Sequence, residues 1–526
     1  MTQAYYIQVL LPLRLDWEPW YTCPEPLETG KRVMVRFAKR SYTAVVRRCT
    51  DRPDMDTARI LSISAIAEDL PPIRPEEFRL WEFLADYYLC TLGEVFKAAY
   101  PDSKVQGERE AARKAEAVPA CGQGPAAWPP PEKPGLLIAG KRLDSYLPHI
   151  RRSLAAGRDV LLLIPEIKDG GILKKGLEQA FPGQVLSYTS RNTAAVRRKT
   201  VHALRGNGAG RIVIGTRSAI FLPFSRLGLI IVDNEQDTSY KQADSAPRLH
   251  ARDAAVVLGS IHKAEVLLGS ACPSLESLQN VRRGKYRLLP PPANPDFPAF
   301  ELIDISEEKR KNGMLGLFSR RLLTRIMAST GSIALIRGWE KEDTLQEACA
   351  SLLPGREIRI LTFSEARHAG LSQFGLVGVM QADFLNGKNG FRGDERAIQS
   401  VALLRELCAG TPLVIQTAKS DHRIWRPDME SLLRERRDFH LPPFTRLIDI
   451  HLLERDPQRC AQWTEALRKR LPEAMEMPTE TGSLLRLAFP PDAQLPAAKR
   501  ALLRTLKEFG QDFSCAAHLS VDVDPL

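Results

Sequence analysis

Apolar and polar residues alternate through Ile7 to Leu11, Arg32 to Phe37 and Thr43 to Arg48, the two-residue period of half-buried strands. The stretch RLWEFLADYYLCTLGEVFKAAYP then takes helical spacing and stops at Pro101, so residues 1–101 predict a β-rich first unit. Residues 102–134 carry Glu, Lys and Ala followed by CGQGPAAWPPPEKP, a composition that cannot bury a core and predicts a partly stiff linker. From 135 to 296 the apolar runs LLI, DVLLLIP, QVLSY, RIVIG, LGLIIVD and EVLLGSA alternate with helical segments, which predicts a parallel sheet with right-handed crossovers. Residues 441–526, from LPPFTRLIDIHL to AHLSVDVDPL, predict a small β-α-β-α-β domain. The expected fold class is multidomain α/β.

The run Leu227 to Val232 is a buried central strand by composition, and it delivers Asp233 to the C-terminal edge of the sheet. In a nucleic-acid motor an acid at that edge holds Mg²⁺, and a carboxylate beside it orients or deprotonates the attacking water. Here Asn234 follows Asp233, and an amide cannot take that proton. Glu235 comes next, but side chains alternate along a strand, so it is expected to point away. Gly135, Gly140 and Lys141 nominally satisfy G-x-x-x-x-G-K. The residues between the glycines read as strand, whereas a phosphate cradle is a loop that follows the strand. Arg142 stands where a Ser or Thr hydroxyl would bind Mg²⁺. Gly140, Lys141 and Arg142 are therefore expected to be a degenerate nucleotide site, and Asp233, Asn234, Glu235 and Gln236 a degenerate hydrolysis set.

The 526 residues carry a net charge of +11, which favours a polyanionic partner. The charge is clustered: Lys31 to Arg52, Arg191 to Arg226 and Lys309 to Arg325 are basic segments in which Asp51 is the only acid. They read as phosphate-contacting surfaces or, alternatively, as solvated faces. The scattered cysteines form no Cys-x-x-Cys, so neither a zinc site nor a disulfide framework is indicated. No apolar run approaches the roughly 20 residues that span a bilayer, and no membrane partner is expected.

The words GTRSAIFLPF (Gly215 to Phe224), SYKQ (Ser239 to Gln242), PRLHARDAA (Pro247 to Ala255) and GSACPSLES (Gly269 to Ser277), in this order, resemble the primosomal protein N-prime (PriA) family of superfamily 2 replication-restart helicases. The resemblance implies a 3′-end DNA-binding domain over residues 1–101, with Asp16 placed to accept a hydrogen bond from a terminal 3′-hydroxyl and Trp17 to stack on a base. Gly30, Arg32, Val33, Val35 and Phe37 match the turn and strand that follow. Arg32, Arg36, Lys39, Arg40 and Arg217 complete the expected DNA-contacting set. Asp16 as a turn cap and Trp17 as a core or rim aromatic are the plain alternatives.

The resemblance also implies two RecA-like helicase lobes, at residues 135–296 and, shortened, at 297–440, and a C-terminal α/β domain at 441–526 that contacts DNA and partner proteins. Against the family pattern, Asn234 and Gln236 replace a Glu and a His, and Ser270-Ala271-Cys272 replaces the Ser-Ala-Thr that couples hydrolysis to DNA. VALLRELCAG stands where paired arginines of an arginine finger belong, with Arg405 displaced. A winged helix is missing from residues 102–134. The zinc-binding insertion is missing where IALIRGW leads directly to EDTLQEACASLLPG. Arg392, Glu395 and Arg396 are expected to form a structural ion-pair set.

These losses imply a DNA-binding factor in replication restart that recognises forked or 3′-ended DNA and scaffolds primosome proteins, such as a helicase loader, a replicative helicase or a single-strand-binding protein, without ATP hydrolysis. It would work in the cytoplasm, at the nucleoid, with no cofactor and no zinc. The alternatives are an ATP- and Mg²⁺-dependent 3′-to-5′ DNA helicase with drifted motifs, and a regulatory decoy that occupies fork DNA.

Overall fold

The computed structural model describes residues 5–53, 56–57, 60–101, 132–166, 171–189, 191–206, 210–291, 299–385, 390–479, 482–492 and 494–526. The linker expectation, and with it the missing winged helix, falls on residues 102–131, outside the described residues.

The alternating N-terminal segments form a six-stranded sheet of β1 (Tyr5–Leu10), β2 (Trp20–Cys23), β3 (Arg32–Phe37), β4 (Arg40–Thr50), β5 (Leu61–Ser62) and β6 (Ala65–Ile66), in the order β5-β2-β1-β4-β3-β6. Its two-residue period sends Ile7, Val9, Val33, Val35, Ala44 and Val46 into one apolar cluster. Gly30 sits at φ +92° with its Cα against the Ile73 carbonyl, where a side chain has no room. The helical run is two helices, α1 (Pro75–Tyr88) and α2 (Leu92–Ala99). They meet around the buried Trp81, which packs against Phe78, Phe96 and Tyr100.

The first lobe holds β7 (Gly135–Ile138), α3 (Leu143–Ala155), β8 (Asp159–Leu163), α4 (Gly171–Ala180), β9 (Val185–Tyr188), α5 (Ala194–Arg205), β10 (Ile212–Gly215), β11 (Leu227–Asp233), α6 (Ala251–His262), β12 (Glu265–Ser270), α7 (Leu275–Arg282) and β13 (Arg287–Leu288). Its sheet is parallel, in the order β13-β7-β12-β11-β8-β10-β9. Strand β11 is central, and all seven of its residues are buried. Ile230 and Val232 face one core while Leu229 and Ile231 face another. An apolar strand without alternation is what burial on both faces requires.

The second lobe follows with β14 (Phe300–Asp304), α8 (Ile305–Lys311), β15 (Met314–Leu315), β16 (Phe318–Ser319), α9 (Arg320–Ala328), β17 (Ile333–Ile336), α10 (Glu342–Leu352), β18 (Ile358–Leu361), α11 (Phe363–Ala366), β19 (Leu376–Val379), α12 (Gly393–Cys408), β20 (Leu413–Thr417) and α13 (Met429–Asp438). Its main sheet is parallel, in the order β14-β20-β19-β17-β18. The fold class is thus the expected one: a β-rich N-terminal domain, two RecA-like parallel-sheet lobes and a small α/β domain.

That last domain differs in one element. Between β21 (Arg446–Leu452), α14 (Pro457–Arg470), β23 (Ser483–Phe489), α15 (Leu495–Asp512) and β24 (Leu519–Val523) runs a further strand, β22 (Met475–Met477). The topology is β-α-β-β-α-β, with an antiparallel sheet in the order β22-β23-β21-β24. Three edge residues with little burial carry no legible period, which is why the sequence pattern missed them. One apolar cluster joins Trp81 and Leu84 of α1, Ile230 and Val232 of β11, and Ile448 and Ile450 of β21. The N-terminal helices, the first lobe and the C-terminal domain therefore share a core. Lys241 adds a buried pin, donating to Val523 O at 2.7 Å and pairing with Asp522 at 2.7 Å.

Asp159, at the start of β8, accepts a bond from Arg211 N at 2.9 Å through one carboxylate oxygen, while the other is buried without a partner. Burial pushes its pKa from 3.8 up to about 6. Because the folded form holds this proton more tightly, the stability it contributes is complete below pH 4 and disappears as pH rises through about 6. Asp159→Asn is expected to add up to about 3 kcal/mol of stability at pH 7.5, at ~1.4 kcal/mol per pKa unit, and so to raise the melting temperature there, and to change little at pH 4. Thermal melts at the two pH values check this, and equal effects at both would contradict it.

Candidate functional site

Asp233 ends β11 at the sheet edge and is 4% exposed. Asn234 turns the chain at φ +51°, a left-handed conformation that Asn tolerates better than most residues. Onto this edge folds Arg142, itself 4% exposed. Its Nε donates to Asp233 Oδ1 at 2.6 Å and its Nη2 to Asp233 Oδ2 at 3.2 Å. Nη2 also donates to Asn234 Oδ1 at 3.1 Å. Nη1 donates to the carbonyls of Ala139 and Gly140 at 2.8 and 3.0 Å. Two further bonds, at 3.0 and 2.9 Å, reach both oxygens of Glu406. Tyr146 donates its hydroxyl proton to Asp233 Oδ1 at 2.8 Å. Burial works to lower the Arg142 pKa, but Asp233 and Glu406 raise it well above its ordinary value, so this cation is permanent.

This geometry does not fit a nucleotide and its Mg²⁺. A phosphate cradle presents backbone N–H groups to an anion. The short connection between β7 and α3 instead turns the Ala139 and Gly140 carbonyls inward, onto a guanidinium. Both Asp233 oxygens are already engaged. The tyrosine hydroxyl and the arginine stem press on Gly269, where even a methyl group would collide with them. Lys141 is exposed beside the filled centre. Among the described residues no group of three or more His, Cys, Asp or Glu side chains is placed to hold a metal ion.

Glu235 faces away from the centre, because β11 ends at Asp233 and the left-handed turn at Asn234 redirects the chain. It is fully buried and accepts bonds from Arg252 Nη1 at 3.0 Å, Ser274 N at 2.7 Å and the Ser274 and Ser277 hydroxyls at 3.0 and 2.9 Å. Gln236 accepts from Ser270 Oγ at 2.7 Å, so the two altered motifs remain in contact.

Glu406 lies on α12, and Arg142 therefore ties the two lobes together through a buried ion pair. Other charged pairs cross the same seam: Arg367 with Asp237 at 2.6 Å and Arg392 with Glu276 at 2.8 Å. Burial opposes ionisation of Glu276, yet Arg392 and Arg252 hold its pKa down to about 2. Leu275 N donates to Glu395 Oε1 at 3.0 Å, and Cys272 and Leu275 of the first lobe sit in the second lobe's apolar cluster. The expected set of Arg392, Glu395 and Arg396 is structural but differently composed: Arg436, at 2.9 Å, is the close partner of Glu395.

The residues expected to touch DNA separate into two groups. Asp16 and the 58%-exposed Trp17 open onto a cleft of about 680 Å³. Trp17 lies 6.0 Å from Phe37, the last residue of β3, and Arg36, Lys39 and Arg40 at the adjoining ends of β3 and β4 are exposed. The others point inward. Arg32 is buried, its guanidinium 4.1 Å from the centre of the Tyr100 ring. Arg217 donates to the Ser239 and Lys241 carbonyls at 3.1 and 3.0 Å and fixes the SYKQ turn. Gly30 is a backbone necessity. These three are engaged within the fold.

Tyr146 and Glu406 were not singled out from the sequence. The signal available for Glu406 was Arg142 itself, because a cation buried against one aspartate needs more acceptors than that aspartate supplies.

A family model described as PriA_3primeBD, 3'DNA-binding domain (3'BD), matches residues 8–101. The chain is 30% identical over 318 residues to the replication restart protein PriA of Rickettsia prowazekii, covering 57% of this chain and 48% of that protein. With the PriA of Haemophilus influenzae it shares 40% identity over 197 residues, 37% of this chain and 26% of the other. A solved structure titled "Structure of RecG bound to three-way DNA junction" is 13% identical, with a TM-score of 0.36, over 72% of this chain and 46% of that one. The resemblance to the PriA family read in the sequence holds, and the chain spans about half the length of the first of these relatives.

Replacing Arg142 by Ala leaves Asp233 and part of Glu406 buried without a counter-charge, and breaking such a pair costs about 3–5 kcal/mol. Arg142→Ala is expected to lower the unfolding free energy, measured by denaturant titration, by that amount, and adding Asp233→Ala to recover part of it. Additive losses in the double-mutant cycle would contradict the pairing.

Proposed function

We propose that this protein is a DNA-binding factor of replication restart that recognises forked or 3′-ended DNA and scaffolds primosome assembly without hydrolysing ATP. The observation that carries this reading is Arg142. Phosphoryl transfer relies on positioned charge, Mg²⁺ and an oriented water rather than on covalent chemistry from the protein. At this centre a side-chain cation fills the metal's place on Asp233, and Asn234 supplies no base. The relation to replication restart proteins and the matched 3′ DNA-binding domain support DNA as the partner. So do the exposed Trp17 and the neighbouring basic turn.

Partners among the primosome proteins follow from that relation: a helicase loader, a replicative helicase or a single-strand-binding protein. The place of action would be the cytoplasm, at the nucleoid. Among the described residues no helix is long and apolar enough to cross a membrane.

ATP turnover on forked DNA is expected to stay at the level of the Asp233→Ala variant. DNA-stimulated hydrolysis abolished by Asp233→Ala would replace this reading with an ATP-dependent helicase. Fork binding should persist without nucleotide and weaken with salt at a slope of roughly 0.7 to 0.9 per phosphate contact.

A free 3′-hydroxyl should be preferred several-fold over a blocked end, and Asp16→Ala should erase the preference. Equal affinity of the unaltered protein for free and blocked ends in a titration would count against an end-binding role for Asp16.

A further inference from the structure

The cleft at Asp16 and Trp17 is not confined to the N-terminal domain. Its walls come from Leu10 to Glu18 and Tyr88 to Glu94, from the first-lobe loop at Ser245, Ala246 and Arg248, and from the C-terminal domain through Leu503, Leu506 and Lys507 of α15 and Leu519 to Val521. Lys507 Nζ lies 3.1 Å from Asp16 Oδ1, and both side chains are about half exposed. Arg14 also crosses the cleft, donating to Leu519 O at 3.2 Å. Besides Asp16, the acids lining it are Glu18, which faces Arg47 at 3.5 Å, Glu94, which accepts from Thr91 N at 2.9 Å, and the exposed Asp244 of the first-lobe loop.

Lys507 begins a line of charge. Arg500, Arg504 and Lys507 stand at i, i+4 and i+7 on α15, one face of a helix, and all three are exposed. Neither Arg500 nor Arg504 has an ion-pair partner among the described residues. The nearby Asp512 is held by Arg470 at 2.6 Å. At 1.5 Å per residue the stripe is ~10 Å long, a row of cations that the backbone of a single strand can follow. The opposite face of α15 is anchored, with Leu502, Leu506 and Phe509 in the shared core and Lys499 Nζ donating to Tyr87 O at 2.6 Å. The stripe is therefore fixed in position relative to Asp16.

Building on the end-binding reading above, we infer that the 3′-end site is a composite of two domains. Lys507 closes it in the free protein by pairing with Asp16, and exchanges that carboxylate for a backbone phosphate when a single strand with a free 3′-hydroxyl enters. Asp16 then accepts a hydrogen bond from the hydroxyl, and Arg504 and Arg500 hold the phosphates upstream. The pair is half exposed, so the exchange is between two solvated contacts of similar strength and needs no opening of the core.

The test uses the full chain and single-stranded oligonucleotides ending in a 3′-hydroxyl or a 3′-dideoxynucleotide, titrated by fluorescence anisotropy from 50 to 200 mM salt. Lys507→Ala should weaken both ligands several-fold and lower the salt slope by about 0.7, and Arg500→Ala with Arg504→Ala by about 1.4. The preference for the hydroxyl end should survive or increase in Lys507→Ala, since its competitor for Asp16 is gone. Loss of that preference in Lys507→Ala would overturn the exchange. Unaltered protein that prefers the hydroxyl end, with cation variants matching it in affinity and slope, would overturn the role of α15 alone. Indifference of the unaltered protein to the end would remove the end-binding reading, and this inference with it.

Discussion

The guanidinium of Arg142 is the interaction on which the rest of this structure depends. It sits where the first lobe's sheet ends, where the β7–α3 connection turns and where the second lobe approaches, and it bonds to all three. A buried arginine is tolerable only if its donors are met and its charge is compensated. Two carboxylates, two carbonyls and one side-chain amide oxygen satisfy that demand. A diffusing cation and a phosphate would need the same space and the opposite polarity of backbone. The centre is thus complete with protein atoms alone.

Two kinds of force divide the molecule. The N-terminal helices, the first lobe and the C-terminal domain are joined by one apolar cluster, in which Trp81, Ile230 and Ile450 belong to the same contiguous interior. The seam between the lobes is largely electrostatic, with Arg142–Glu406, Arg367–Asp237 and Arg392–Glu276 across it and a small apolar contact at Cys272 and Leu275. Buried ion pairs add little net stability over well-packed apolar groups, but they penalise misalignment heavily, because a displaced charge is left without solvent. A motor uses such a seam to open and close. Here three charged pairs align the two sheets across the seam.

The same logic separates binding residues from holding residues in the N-terminal half. Arg32 and Arg36 lie four positions apart on one strand, yet Arg32 is enclosed against Tyr100 while Arg36 is exposed beside the turn. A basic segment in the sequence is therefore an upper bound on a basic surface. Among the exposed cations, Lys507 of α15 lines the same cleft as Trp17.

What the sequence by itself determined was local and periodic. Alternation gave β1, β3 and β4, and an unbroken apolar run gave β11 with Asp233 at its tip, because burial on one face or two leaves those patterns in the chain. The replacement of the hydrolysis carboxylate by Asn234 was legible for the same reason: it occupies a position that the strand alone defines. The tertiary structure decided which charges meet. Arg142 finds Glu406 264 positions away, Lys507 finds Asp16, and Arg217 and Arg32 turn inward. No spacing along the chain records these pairings. They follow from how whole elements dock, and docking is set by the shared core rather than by the residues that become neighbours at its edge.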